Sequence, residues 1–137
     1  VKVLLISHGG MAEGMKETVQ MVFGTLPNLE AMGLKDGEGV NQFEQRLSDF
    51  LDSIRDEYLI VLSDIKGGSP YTTCANLLMK KGRFERTQLI SGMNLPLLLG
   101  ICMNQQEPTQ EEWRNIIHNS RESIAFFELL EDDDEDL

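Results

Sequence analysis

The sequence predicts a doubly wound α/β fold, and three observations carry that expectation. Strand-like and helix-like segments alternate from the first residue onward, with short links and no internal repeat. The strand candidates, Tyr58 to Leu62 above all, are continuously apolar rather than alternating, as strands are when helices cover both faces of a parallel sheet. The residues best suited to chemistry stand in loops that follow strand ends, where open sheets of this kind bind ligands.

Taken in order, Val1 to Ile6 is an apolar run that ends at Ser7-His8-Gly9-Gly10, a strand leading into a turn. Met11, Met15, Val19 and Val22 then keep the spacing of one packed helical side, and Gly24 stands where a helix C-cap is expected. Leu29 to Met32 reads as a second strand, followed by a Gly-rich loop from Gly33 to Gly39. Val40, Phe43, Leu47, Phe50, Leu51 and Ile54 have the three-and-four spacing of an amphipathic helix. The strand Tyr58 to Leu62 ends at Ser63-Asp64. A helix follows from Pro70 to Met79, with Lys80 and Lys81 at its negative end. Arg86 to Ile90 is the next strand and ends at Ser91-Gly92-Met93-Asn94. Leu97 to Met103 reads as a short apolar helix. Thr109 and Glu112 form a capping box for a last helix, in which Trp113, Ile116 and Ile117 mark the buried side. Ser123 to Leu130 fits a helix continuation or a strand.

A chain of 137 residues suits one domain with one continuous core. No run approaches the ~20 apolar residues of a membrane span, and no basic segment precedes an apolar one, so a cytoplasmic protein without a leader is expected. Cys74 and Cys102 are too far apart for a metal cluster, and two cysteines make no disulfide framework, so both are expected reduced in or near the core. The net charge is −11, which argues against nucleic acid as a partner. More than half of that charge lies in Glu131 to Asp136, a run that reads as a solvated, disordered tail over 131–137.

His8 stands two residues past the last apolar residue of the first strand, where the backbone turns outward, beside two glycines that leave the backbone open to an anionic group. Asp64 ends the third strand. In the commonest doubly wound orders strands one and three are neighbours, which puts His8 and Asp64 side by side. A carboxylate that accepts from one ring nitrogen sets the tautomer and leaves the other nitrogen as the nucleophile. In Gly67-Gly68-Ser69-Pro70, two glycines can turn their amides inward, Ser69 can cap the next helix and Pro70 suits its first turn. That concentrates N–H donors where a phosphate would sit. The block lacks the Gly-Lys-Ser/Thr of a Walker loop and the Gly-x-Ser-x-Gly of an esterase elbow.

Three chemistries compete for these residues. A serine hydrolase needs the Ser69 hydroxyl free, whereas a capping serine has its oxygen engaged. A metal-assisted hydrolase finds two ligands, His8 and Asp64, and no third; His118, beside Ile116 and Ile117, reads as structural or surface. Histidine phosphorylation needs one nucleophilic nitrogen, one orienting carboxylate and donors for the phosphoryl oxygens, and these residues supply them. No metal or cofactor is expected.

At this point the chain resembles the IIA domains of the mannose/fructose/sorbose class of the bacterial sugar phosphotransferase system. The resemblance lies in the opening strand into His8-Gly9, with Ala12 and Gly14. It continues in Asp64, Gly67-Gly68-Ser69-Pro70 and Asn76, and in Ser91-Gly92-Met93-Asn94-Leu95-Pro96-Leu97-Leu98. It covers residues 1 to 130, read as a single IIA domain. It implies a phosphocarrier that takes a phosphoryl group from phospho-HPr and passes it to a IIB component, upstream of the membrane components IIC and IID. By matching position, His8 carries the phosphoryl group and Asp64 orients it. Gly67, Gly68 and Ser69 receive the phosphoryl oxygens, and Gly9, Met93 and Asn94 form the wall of the site.

The resemblance also implies a mainly parallel five-stranded sheet in the order 2-1-3-4-5. Its last strand is antiparallel and exchanged in a homodimer, a role that Ser123 to Leu130 would take. With no linker and no IIB segment, a stand-alone IIA polypeptide is expected. The alternative within the same chemistry is a phosphocarrier subunit that feeds a dihydroxyacetone kinase.

Overall fold

A computed structural model describes residues 1–129 of the chain. The elements in order are β1 (Lys2–His8), α1 (Met11–Phe23), β2 (Leu29–Leu34), α2 (Val40–Ile54), β3 (Leu59–Ser63), α3 (Ser69–Lys80), β4 (Thr87–Ser91), α4 (Leu95–Cys102) and α5 (Gln110–Glu122). One short 3-10 turn, Phe84–Arg86, leads into β4. The strands form a four-stranded sheet in the order β2-β1-β3-β4. Every pairing is parallel, with Val3 opposite Leu29 and Ile60, and Leu62 opposite Ile90.

Helices cover both faces, which explains the continuously apolar strands. On one face Val3, Leu5, Ile60 and Leu62 pack with Ala12, Val19, Leu98, Ile101 and Ile116 from α1, α4 and α5. The alternate residues Leu4, Ile6, Leu59 and Val61 face the other way, onto Phe43, Leu47, Leu51, Cys74 and Leu78 from α2 and α3. The period-two alternation of side chains therefore feeds two separate cores from the two central strands. Each fully buried leucine contributes about 1.5–3 kcal/mol relative to exposure. Both cysteines are free thiols, and burial pushes the Cys74 thiol up to about 12.

The expectation of a fifth, antiparallel, exchanged strand is overturned. The sheet has four strands, all parallel, and the chain after α5 runs through residues 123–129 without strand or helix. Leu130 and the acidic run 131–137 lie outside the described residues. The physical reason is that a strand is defined by its ladder, and an apolar run supplies no hydrogen-bond partner of its own. Ile124, Phe126 and Phe127 consequently stand in solvent, with Phe126 94% exposed.

The functional end of the sheet also differs in detail. β1 extends through His8 and β2 through Leu34, since Ser7 pairs with Gly33 and His8 with Leu34. His8 is thus the last residue of the strand rather than a residue beyond it. Among the described residues, no helix is long and apolar enough to cross a membrane.

Candidate functional site

Parallel pairing of β1 with β3 brings the carboxyl ends of both strands together, and His8 meets Asp64 there. The Asp64 Oδ2 atom accepts twice from His8, from the backbone N–H at 2.9 Å and at Nδ1 at 2.9 Å. Its other oxygen, Oδ1, accepts from the Ile65 amide at 2.8 Å. The two groups differ in exposure: the His8 side chain is 46% accessible, the Asp64 side chain 7%. Burial pushes the Asp64 carboxyl up, but the bonds from the His8 amide, the His8 ring and the Ile65 amide outweigh it and hold it below the ordinary carboxylate range. An ionised carboxylate accepts only, so the Nδ1 atom that faces it carries a proton, and in the neutral tautomer that this fixes the lone pair is on Nε2.

The ring lies against the start of α3. A Cβ built on Gly68 would meet His8 Cε1 at 2.8 Å, so only glycine lets the imidazole settle there. Gly67, with φ of +82°, makes the turn that precedes it. The N-cap of α3 is Gly68, not Ser69, and Pro70 follows within the first turn. Ser69 is the first helical residue, it is exposed, and its hydroxyl has no hydrogen-bond partner among the described residues. The chain breaks into the helix one residue earlier than the capping rule predicts because glycine also adopts the extended N-cap backbone.

The hydroxyl is therefore free, and the occupied-cap argument against a serine nucleophile falls. A different observation stands in its place: among the described residues, no serine hydroxyl hydrogen-bonds the His8 ring, as a nucleophile–base pair would. The Gly68 amide is engaged with the Ile65 carbonyl at 3.2 Å, whereas the amides of Gly67 and Ser69 have no acceptor among the described residues. The donors left open on either side of Gly68, the residue against the ring, are thus Gly67 N–H, Ser69 N–H and the Ser69 hydroxyl, at the positive end of α3.

The third loop is committed to the fold. The Met93 side chain is buried in the α1/α4/α5 core and its amide donates to the Ser63 carbonyl at 2.9 Å. Asn94 Oδ1 caps α4 by accepting from the Leu97 amide at 2.8 Å, and it also accepts from the Ser120 hydroxyl at 3.1 Å. Gly9 is exposed with φ of +57° and borders the ring directly in sequence.

Two contributors escaped sequence reasoning. Ser7 is fully buried, and its hydroxyl accepts from the Ala12 amide at 2.8 Å, which ties the start of α1 to the strand end. Gly33 is where β2 touches the turn after His8: a Cβ there would stand 2.0 Å from the Gly9 carbonyl oxygen. A glycine directly after the strand pattern Leu29 to Met32 is the signal that could have revealed such an approach. Among the described residues, no three His, Cys, Asp or Glu side chains come together as a metal set.

Comparison with known proteins identifies relatives of the whole fold. The family model for the PTS system fructose IIA component matches residues 2–118. The fructose-specific EIIA component of Bacillus subtilis is 31% identical over 102 residues, 74% of this chain and 68% of that protein. The sorbose-specific EIIA component of Klebsiella pneumoniae is 31% identical over 105 residues, 77% of this chain and 75% of that one. Among solved structures, the mannose/sorbose-specific IIA subunit from Enterococcus faecalis superposes with a TM-score of 0.81 at 24% identity. It covers 95% of this chain and 96% of its own, and shows the same fold. The chain belongs to the mannose/fructose/sorbose family of IIA components of the phosphotransferase system.

Proposed function

We propose that this IIA component carries its phosphoryl group on Nε2 of His8. One observation carries the reading: Nδ1 is held 2.9 Å from a carboxylate oxygen while the ring is half exposed at the mouth of the sheet. The Nε2 lone pair attacks the phosphorus of phospho-HPr in line. A P–N bond forms on His8 as the P–N bond to the donor imidazole breaks, and that imidazole departs with its electron pair. As the His8 ring gains positive character, Asp64 stabilises it through the Nδ1 hydrogen bond. The Gly67 and Ser69 amides and the Ser69 hydroxyl suit the phosphoryl oxygens, aided by the α3 N-terminus. The second transfer, to the IIB component, runs the same step in reverse toward a new acceptor and supplies sugar uptake through IIC and IID.

In this reading the IIA domain spans residues 1–130 and works in the cytoplasm, where HPr and IIB meet it. It works as a homodimer, supported by the exposed apolar side chains of Ile124, Phe126, Phe127 and Leu129. Intact mass after incubation with phospho-HPr tests the central step. One phosphoryl group per chain is expected, lost in mild acid, stable in hydroxide, and absent in His8→Ala. A label that survives acid and is lost only in base means a hydroxyl acceptor and ends the proposal. Sedimentation of the chain with and without residues 123–137 tests the dimer: a monomer in both forms rejects it.

A further inference from the structure

Behind the turn that follows His8 lies a brace built around one arginine of α2. Arg46 Nη2 donates to the Gly33 carbonyl at 2.7 Å and to Glu38 Oε1 at 2.7 Å, and Nε donates to Glu38 Oε2 at 3.0 Å. Its guanidinium carbon stands 5.6 Å over the ring centre of the buried Phe43. The Glu38 carboxylate also receives the Lys35 amide at 2.9 Å. A single side chain thus ties α2, the end of β2 and the β2–α2 loop into one unit.

That unit presses on the site through backbone alone. Gly33 pairs with Ser7 in the sheet, and the Gly9 carbonyl lies where a Gly33 Cβ would be. The next carbonyl, that of Leu34, accepts the Gly9 amide at 2.8 Å. Residues 33–34 thus meet Gly9 through backbone atoms, with no flexible side chain as the link between the end of β2 and the turn. Asp64 holds His8 from the β3 side, and residues 33–34 hold its successor from the β2 side.

We infer that Arg46 is a positioning residue for phosphoryl transfer: it clamps Gly33 and Leu34 against Gly9 and so sets the direction in which His8 presents Nε2. The inference rests on the reading of His8 as the phosphoryl acceptor. Arginine suits the task because its planar fork engages a carboxylate and a carbonyl at once, whereas a lysine ammonium is a point donor on a flexible stem. The competing account is that Arg46 merely covers carbonyls of the edge strand β2. The two differ in whether the His8 ring feels the change.

The test compares the parental chain with Arg46→Met and Arg46→Lys. Three quantities are read: the saturating rate and half-saturation for phospho-HPr, the NMR signals of the His8 ring nitrogens and Nδ1 proton, and stability in urea. Misplacement of a reacting group by about 1 Å costs up to ~100-fold. Arg46→Met is therefore expected to lower the saturating rate ~10–100-fold with little change in half-saturation. It is also expected to shift or broaden the His8 Nδ1 proton signal, and Arg46→Lys to recover part of both. If Arg46→Met fails to fold, Arg46→Lys decides on the same readouts. Parental rates and an unmoved His8 signal in a folded variant, with only stability reduced, overturn the inference. If the parental chain accepts no phosphoryl group on His8, the function reading fails instead. The NMR comparison still judges Arg46, and an unmoved His8 signal then rejects it as well.

Discussion

Replacing Asp64 by asparagine separates geometry from charge, because the two side chains have nearly the same shape. Both bonds to His8 fall on Oδ2, and Oδ1 is held by the Ile65 amide. Asparagine has one oxygen and one NH2 group to place in those two positions. If its oxygen faces His8, the NH2 confronts the Ile65 N–H. If the oxygen faces Ile65, the NH2 confronts the His8 amide and forces Nδ1 to become an acceptor. The second arrangement puts the ring proton on Nε2, the atom required to be nucleophilic. In either case the negative charge that stabilises a developing imidazolium is gone. Loss of an orienting carboxylate in a comparable triad lowers the rate ~10⁴-fold. A fall of ~10²–10⁴-fold is therefore expected in phosphoryl acceptance, equivalent to about 3–5 kcal/mol at 1.36 kcal/mol per tenfold. Quenched-flow transfer from phospho-HPr measures it, with circular dichroism to confirm folding. A folded Asp64→Asn protein that accepts the group within threefold of the parental rate refutes the role given to Asp64.

Three further outcomes follow from the same geometry. Gly68→Ala places a methyl 2.8 Å from His8 Cε1; the ring must move, and phosphoryl acceptance should fall at least tenfold while the circular dichroism spectrum is unchanged. Leu62→Ala empties a fully buried position between β1, β4 and the α1/α4 layer, and urea unfolding should show a loss of about 2–5 kcal/mol. The depressed Asp64 carboxyl stabilises the fold above the ordinary carboxylate pKa, and that contribution is lost as pH falls through its lower folded value. Asp64→Asn should therefore flatten the stability profile at the acid end, and a profile that overlays the parental one contradicts the pairing.

Much of this molecule was legible because its physics is local. The spacing of Phe43, Leu47, Leu51 and Ile54 maps onto one buried side of α2, and Thr109 with Glu112 closes the capping box of α5 as expected. The pairing of His8 with Asp64 was readable from strand-end position and the commonest strand order. What the sequence concealed depends on partners remote in the chain. Strand β1 runs to His8 because Gly33 and Leu34 are there to pair with it. Ser69 yields the cap to Gly68, a choice between neighbours that propensity does not resolve. Met93 looked like site wall from its loop, yet the core on the far side of β3 claims it. The segment 123–129 has apolar residues enough for a strand, yet it pairs with no strand of the described sheet.

The central claim is that a phosphoryl group resides on Nε2 of His8, with Nδ1–H held by Asp64. NMR of the protein carrying nitrogen-labelled histidine, before and after phosphorylation by phospho-HPr, tests it most directly. The account predicts phosphorus coupled to Nε2 of His8, with the Nδ1 proton retained in its hydrogen bond and the signals of His118 unmoved. Coupling to Nδ1, or to His118, contradicts it.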